Sequence, residues 1–186
     1  HGAEMPHGEG HESDWFVNFT KENPITPWKT GDELRGENLV HLSVRFSTEK
    51  ELKQFQDLLY EKSGQGVSFT GLLEAMVSEV TIVTAVHNIK SNKGSKTAGV
   101  DRMKMDKYLQ MPKEELFQLI QSNISNYKPK PAKRKYIEKA NGKKRPLGIP
   151  TVLDRIIQEC MRLILEPICE ARFYPHSYGF RPYRAQ

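Results

Sequence analysis

The stretch that most constrains this chain runs from Lys128 to Arg145, Lys-Pro-Lys-Pro-Ala-Lys-Arg-Lys-Tyr-Ile-Glu-Lys-Ala-Asn-Gly-Lys-Lys-Arg. It sets nine Lys or Arg residues against one acid, Glu138. Two alternating segments flank Ala140-Asn141-Gly142. Asn-Gly between strand-like runs signals a hairpin, because both central residues tolerate positive φ. The spacing predicts a two-stranded ribbon over Lys133–Glu138 and Lys143–Ile149. Alternation predicts Lys133, Lys135, Ile137 and Lys139 on one face and Arg134, Tyr136 and Glu138 on the other. Like charges at this density repel one another, and a polyanion laid across them relieves the repulsion. A charge run taken alone is more often a solvated surface.

The charge is distributed unevenly. The chain has 186 residues, 37% of them hydrophobic, and a formal charge of +5. Residues 1–66 carry seven basic and twelve acidic side chains, residues 67–127 seven and six, and residues 128–186 fourteen and five. An acidic front and a basic back put the expected nucleic-acid face at the back. Cys160 and Cys169 lack metal-ligand spacing and read as packing residues in a reducing cytoplasm. No run of about 18 apolar residues reaches membrane-spanning length, and no signal-peptide core is visible. The expected location is therefore cytoplasmic, with no membrane partner.

Residues 1–14 are polar, with three glycines and three histidines, and predict a disordered tail. His7 and His11 have a spacing that suits a metal only on a helix, which the adjacent glycines disfavour. Residues 15–66 predict a small strand–helix unit. Val40, Leu42, Val44 and Phe46 share one strand face. Thr48 and Glu51 form a capping box, and Leu52, Phe55, Leu58 and Leu59 line the helix that follows. No site in this unit can be named from its residues. Residues 68–91 predict one helix, with Leu72, Leu73, Met76, Val80, Val83 and Val86 as its stripe. Pro112 opens another helix, with Glu114 and Glu115 in its first turn and Leu116, Leu119, Ile120 and Ile124 on its apolar face. Thr151 and Asp154 predict the cap of a third, in which Ile157, Cys160, Met161 and Ile164 are the buried stripe. Pro167 ends or kinks it. Asp154 reads as a cap or as a partner for Arg155. The loop from Asn92 to Val100 mixes glycines with Lys93, Lys96 and Thr97, so backbone N–H groups and cations can approach phosphates.

Three blocks carry a family resemblance. They are Asn92-Lys-Gly-Ser-Lys-Thr-Ala-Gly-Val-Asp101, Arg145-Pro-Leu-Gly-Ile-Pro-Thr-Val-Leu-Asp154-Arg155-Ile-Ile-Gln158, and Phe173-Tyr-Pro-His-Ser-Tyr-Gly-Phe-Arg-Pro182-Tyr-Arg184. In this order they resemble the opening of group II intron-encoded reverse transcriptases, the maturase-type RNA-directed DNA polymerases. The resemblance covers about Phe69 to Gln186. One departure is Arg102, which stands where the family usually has glycine. The resemblance implies an α+β chain: a helical N-terminal extension and fingers with a basic β-hairpin over 67–186, preceded by a small α/β segment. The whole would be a truncated polymerase right-hand fold that stops before the palm aspartates.

The same resemblance implies roles for particular residues. Lys139 and Arg145 would neutralise a nucleotide triphosphate, Arg as a phosphate fork and Lys as a point charge. Lys133, Arg134, Lys135, Lys143 and Lys144 would lie along template phosphates. Gly148, Ile149 and Pro150 would pack under the templating base. Lys93, Lys96 and Thr97 would grip template from the upstream loop. Arg181 would hold template backbone or bridge two structural elements. Without a palm to pack on, Ile156, Ile157, Met161 and Phe173 would be exposed. The expected partners are intron or template RNA, and dNTP in a full-length enzyme, with a palm and thumb encoded separately or missing. No cofactor is expected on this chain, and Mg2+ only in the full-length enzyme, where two metal ions flank the transferred phosphoryl group. Alternatives are a stand-alone RNA-binding module, a non-functional remnant, or a chain whose function lies in a protein-interaction role of residues 15–66. On this reading the 186-residue chain alone does not extend a primer on an RNA template. A primer-extension assay with purified chain and contaminating polymerase excluded should give no product.

Overall fold

The computed structural model describes residues 39–42, 46–179 and 181. The expectations for residues 1–14, for 15–38 and for Val44 lie outside the described residues. The order of elements is β1 (Leu39–His41), α1 (Glu49–Gly64), β2 (Ser68–Thr70), α2 (Leu72–Met76) and α3 (Glu79–Ser91). It continues with α4 (Met105–Leu109), α5 (Lys113–Ser125), β3 (Lys133–Glu138), β4 (Lys144–Ile149) and α6 (Val152–Glu170). This mixture of helix and strand is compatible with the α+β class.

The front of the described chain is one parallel crossover. β1 and β2 pair in parallel, Leu39 opposite Ser68 and His41 opposite Thr70, with α1 between them. The capping box forms: Thr48 Oγ1 accepts from the Glu51 N–H at 3.2 Å, and Glu51 Oε2 accepts from the Thr48 N–H at 3.1 Å. Leu52, Phe55 and Leu59 are buried one turn apart, as the stripe predicts.

Residues 68–91 do not form one helix. The first three join β1 as a strand, and the rest divides into α2 and α3. Ser78 provides the physical reason for the division. Its hydroxyl accepts from the Thr81 N–H at 3.2 Å, capping a new helix, while Thr81 Oγ1 donates back to Ala75 O at 2.8 Å. Gln121 of α5 donates to the freed Val77 carbonyl at 2.9 Å. The buried face therefore turns: Ile82, Ala85, Val86 and Ile89 point inward, whereas Leu73 and Val83 of the expected stripe are exposed.

Helix α6 joins the two halves. Ile156, Ile157, Cys160 and Leu163 bury against α3, α4 and α5, while Ile164 enters the second cluster with Leu52, Phe55 and Leu59 of α1. Full burial of each large aliphatic side chain is worth about 1.5–3 kcal/mol. The expectation that Ile156 and Ile157 are exposed is therefore overturned, because α3 and α5 cover them. Met161 and Phe173 are exposed, so Met161 is not part of the buried stripe.

Pro167 lies inside α6 and does not end it. Proline has no N–H for the Leu163 carbonyl four residues earlier. Gln56 Nε2 of α1 supplies that donor at 2.8 Å, and Ser63 Oγ donates to Ile168 O at 2.8 Å. Arg172 adds bonds to Ser63 Oγ at 3.0 Å and to the Val67 carbonyl. These bonds tie residues 56–67 to residues 163–172. Cys160 is buried, and burial, aided by the Glu159 charge, pushes its thiol up to about 12. Cys169 is exposed and is not a core residue. Among the described residues no helix is long and apolar enough to cross a membrane.

One buried carboxylate also joins α3 to α6. Glu159 accepts from Asn88 Nδ2 at 2.8 Å and from Arg162 Nε at 2.9 Å, and Arg162 reaches on to Glu166 at 2.6 Å. Burial alone would raise the Glu159 carboxyl, but the bonds from Arg162 and Asn88 outweigh it and hold the group below its ordinary value. A carboxyl lowered on folding contributes stability that is present above its unfolded pKa, roughly 4.3 for glutamate. That stability is lost as pH falls through the lower folded value. Glu159→Gln should therefore cost about 1–3 kcal/mol at pH 7, and the gap to the parent should narrow below pH 4. Urea unfolding across pH measures both.

Candidate nucleic-acid interface

The ribbon forms where alternation predicts it. β3 and β4 pair antiparallel, Lys133 opposite Ile149, Lys135 opposite Leu147, Ile137 opposite Arg145 and Glu138 opposite Lys144. Every residue of both strands is exposed except Ile137 and Ile149, which are half-buried. The turn differs from the expected Asn-Gly pair of positive-φ residues. Only Gly142 is left-handed, at φ 74°. Its N–H donates to Lys139 O at 2.9 Å, and the Lys139 N–H donates to Lys143 O at 2.8 Å. This is a tight turn over Ala140 and Asn141 closed by a glycine bulge. Asn141 Oδ1 caps it from the side, accepting from the Lys143 N–H at 3.2 Å.

Antiparallel register sorts the candidate residues by face. Lys133, Lys135 and Arg145 share one face with Ile137, Leu147 and Ile149. Arg134 and Lys144 lie on the other with Tyr136, Pro146 and Gly148. Lys139 and Lys143 sit at the turn. Among the described residues none of these seven cations is ion-paired.

Both roots of the ribbon are held at the start of α6. Asp154 Oδ2 accepts from Thr151 Oγ1 at 2.7 Å, just after β4, and Asp154 Oδ1 accepts from Tyr127 OH at 3.1 Å, between the end of α5 and β3 and six residues before β3 begins. Thr151 returns the bond as N-cap, accepting from the Asp154 N–H at 3.1 Å. Burial and the nearby Asp154 carboxylate raise the Tyr127 hydroxyl above the ordinary phenol value. Asp154 is thus a cap, and its partners are Thr151 and Tyr127 rather than Arg155.

Arg155 instead clamps the upstream loop. Nη1 donates to Gly94 O at 2.9 Å and Nη2 to Thr97 O. Burial lowers the guanidinium from its ordinary value, and the Asp101 charge offsets part of the shift. Lys93, Lys96 and Thr97 are exposed on that loop. Gly99 fixes where the loop meets the ribbon, since a Cβ there would lie 2.7 Å from Thr151 Cα and 3.0 Å from the Pro150 carbonyl carbon. The loop and the root at Pro150 are therefore in contact. Lys130 approaches Asp101 at 3.8 Å across the same root.

Arg181 is placed elsewhere. Its side chain is only 5% exposed and meets Glu170 at 2.6 Å, at the far end of the 19-residue α6. Its Nη1 donates to Tyr174 O at 2.9 Å and Ser177 O at 2.7 Å. It bridges the helix end to the loop that follows, away from the ribbon. Asp154 is engaged as described, and Asp101 Oδ1 accepts from the Met103 N–H at 3.1 Å. Among the described residues no three His, Cys, Asp or Glu side chains are grouped to hold a metal ion. Sequence reasoning missed Tyr127, Lys130 and the Arg155 clamp. The clamp uses backbone carbonyls, which leave no mark in a sequence.

The sequence is similar to those of known proteins. Protein YkfC of Escherichia coli (strain K12) is 40% identical over 121 residues, 61% of this chain and 30% of that protein. The group II intron-encoded protein LtrA of Lactococcus lactis subsp. cremoris is 42% identical over 119 residues, 63% of this chain and 19% of that protein. The 91 kDa protein in the cob intron of Schizosaccharomyces pombe is 37% identical over 101 residues, 54% of this chain and 12% of that protein. The chain is of the group II intron-encoded reverse transcriptase/maturase type. It spans less than a third of the length of each of these relatives. No protein-family model matches it.

The departure at Arg102 in this maturase-type chain now has a physical meaning. Arg102 is left-handed, at φ 58°, and is the one non-glycine residue with positive φ among those described. An L side chain there costs roughly 1–2 kcal/mol, which glycine avoids. Arg102→Gly should raise stability by about 1 kcal/mol, read as an upward shift of the thermal midpoint.

Proposed function

We propose that this chain is the N-terminal extension and fingers portion of a group II intron reverse transcriptase/maturase, and that it binds intron or template RNA through the β3–β4 ribbon. The observation that carries the reading is the set of seven exposed, unpaired cations on a ribbon rooted at both ends by Asp154. A rooted ribbon presents charge in a fixed arrangement, so less order has to be imposed when a polyanion arrives. On the face with Arg145, the aliphatic Leu147 and Ile149 offer a templating base an apolar floor, and Arg145 reaches a nucleotide phosphate. Lys139, at the turn, is the second phosphate ligand. Lys93, Lys96 and Thr97 approach the same strand from the loop that Gly99 seats against the root. The polymerase activity belongs to a longer protein that supplies the palm carboxylates, and dNTP and Mg2+ are ligands of that whole.

RNA binding titrated against salt tests this reading. Log affinity for single-stranded RNA should fall with log salt by about 0.7 for each phosphate neutralised. Lys139→Ala/Arg145→Ala should weaken binding and flatten that slope by about 1.4. Binding that ignores salt, or a slope the double variant leaves intact, rejects the ribbon as the contact surface.

A further inference from the structure

The register of the ribbon gives it two chemically different sides, and the apolar floor proposed for the templating base lies on only one of them, beside Arg145. The side with Lys133, Lys135 and Arg145 is interleaved with the aliphatics Ile137, Leu147 and Ile149. The opposite side carries Arg134, Tyr136 and Glu138 across from Gly148, Pro146 and Lys144. Tyr136 is 58% exposed although it is a large aromatic residue in the middle of a strand. Its direct cross-strand neighbour is Pro146, and Gly148 on its diagonal has no side chain. A Cβ at Gly148 would meet only Ala132 Cβ, at 3.4 Å. The tyrosine ring therefore stands over a low floor of proline and glycine rather than against a packing partner.

From this we infer that the Arg134–Tyr136–Lys144 side is a second binding surface for single-stranded RNA, independent of the Arg145 side. The chemistry is that of a stacking platform between two phosphate ligands. An exposed aromatic face accepts any base, and flanking cations hold the backbone. Arg134 and Lys144 are separated by four residues along the ribbon, about 13 Å at strand rise, and Tyr136 lies midway. A base stacked on Tyr136 thus has a cation on each side for the adjoining phosphates. Neither cation is ion-paired among the described residues, and Glu138, directly opposite Lys144, leaves it unbridged. Glu138 makes the turn end of this side less positive, so Arg134 is the stronger of the two phosphate ligands. Among the described residues every strand residue of the Arg134–Tyr136–Lys144 side is exposed, and on the other side only Ile137 and Ile149 are half-buried, so RNA can lie on both at once. This surface requires no binding on the Arg145 side.

The test is the number of short oligonucleotides bound per chain. Hexauridylate is titrated into the purified chain at low salt and the stoichiometry read by calorimetry. Parent chain should bind two. Arg134→Ala/Tyr136→Ala should bind one, and so should Lys135→Ala/Arg145→Ala. Tyr136→Phe, which keeps the ring, should still bind two. Tyr136→Ala alone should weaken the lost site roughly 5- to 100-fold without changing the salt slope, since it removes stacking and not charge. Both strands are solvent-exposed, so circular dichroism should show each variant folded. Binding of one oligonucleotide that responds only to Lys135→Ala/Arg145→Ala overturns the second surface and leaves the proposed function standing. Binding of one that responds only to Arg134→Ala/Tyr136→Ala supports the second surface and removes the proposed template face. No binding to the parent chain overturns both.

Discussion

Helix α6 has to be buried on two sides at once, and most of the described structure follows from how that is done. Its first half, through Ile156, Ile157 and Cys160, is covered by α3, α4 and α5; its second half, through Ile164, is covered by α1. A helix covered on both sides cannot shed either neighbour without exposing large aliphatic surface. The proline at 167 would weaken it where the two halves meet, by leaving the Leu163 carbonyl without a donor. Gln56 repairs that fault from α1. Residues 46–66 and the basic back are thereby parts of one packed body.

The start of the same helix decides what the basic residues can do. A ribbon with cations on both sides and two half-buried residues has little core of its own, and a lone hairpin is marginal in water. Asp154 supplies the missing constraint by accepting from Tyr127 and Thr151, one on each root. Arg155, the next residue, fixes the upstream loop to the same turn of helix. Adjacent side chains on one helical turn thus place the loop and the ribbon relative to each other. The cations are left outside this framework, and their mutual repulsion is spread over two faces and a turn.

Features set by local chemistry were legible in the sequence. The ribbon strands, the Thr48–Glu51 capping box and the stripe of α1 depend on neighbours within a few residues, and each is where its pattern places it. Features set by distant partners were not legible. Helical periodicity over 68–91 is real, but β1 captures Ser68–Thr70 and Ser78 starts a new helix, so the buried face changes. Pro167 predicts a break only if nothing replaces the lost donor, and Gln56 lies 107 positions away from the carbonyl it satisfies. The Asn-Gly pair marked the turn correctly but not its type, because Asn141 spends its side chain on the Lys143 N–H. Among the candidate site residues, alternation located the ribbon cations. It was silent on Arg181, whose partners are a carboxylate and two carbonyls made available only by the fold.

The central claim is that the rooted ribbon, and not the acidic front, is the surface that meets RNA. Hydrogen exchange of backbone amides with and without saturating single-stranded RNA tests it most directly, because it reports position and not merely affinity. The account predicts added protection across 133–149 and in the loop at 93–97, with the amides of α1 unchanged. Protection confined to α1 or its flanking strands, with the ribbon exchanging as in the free chain, would contradict it.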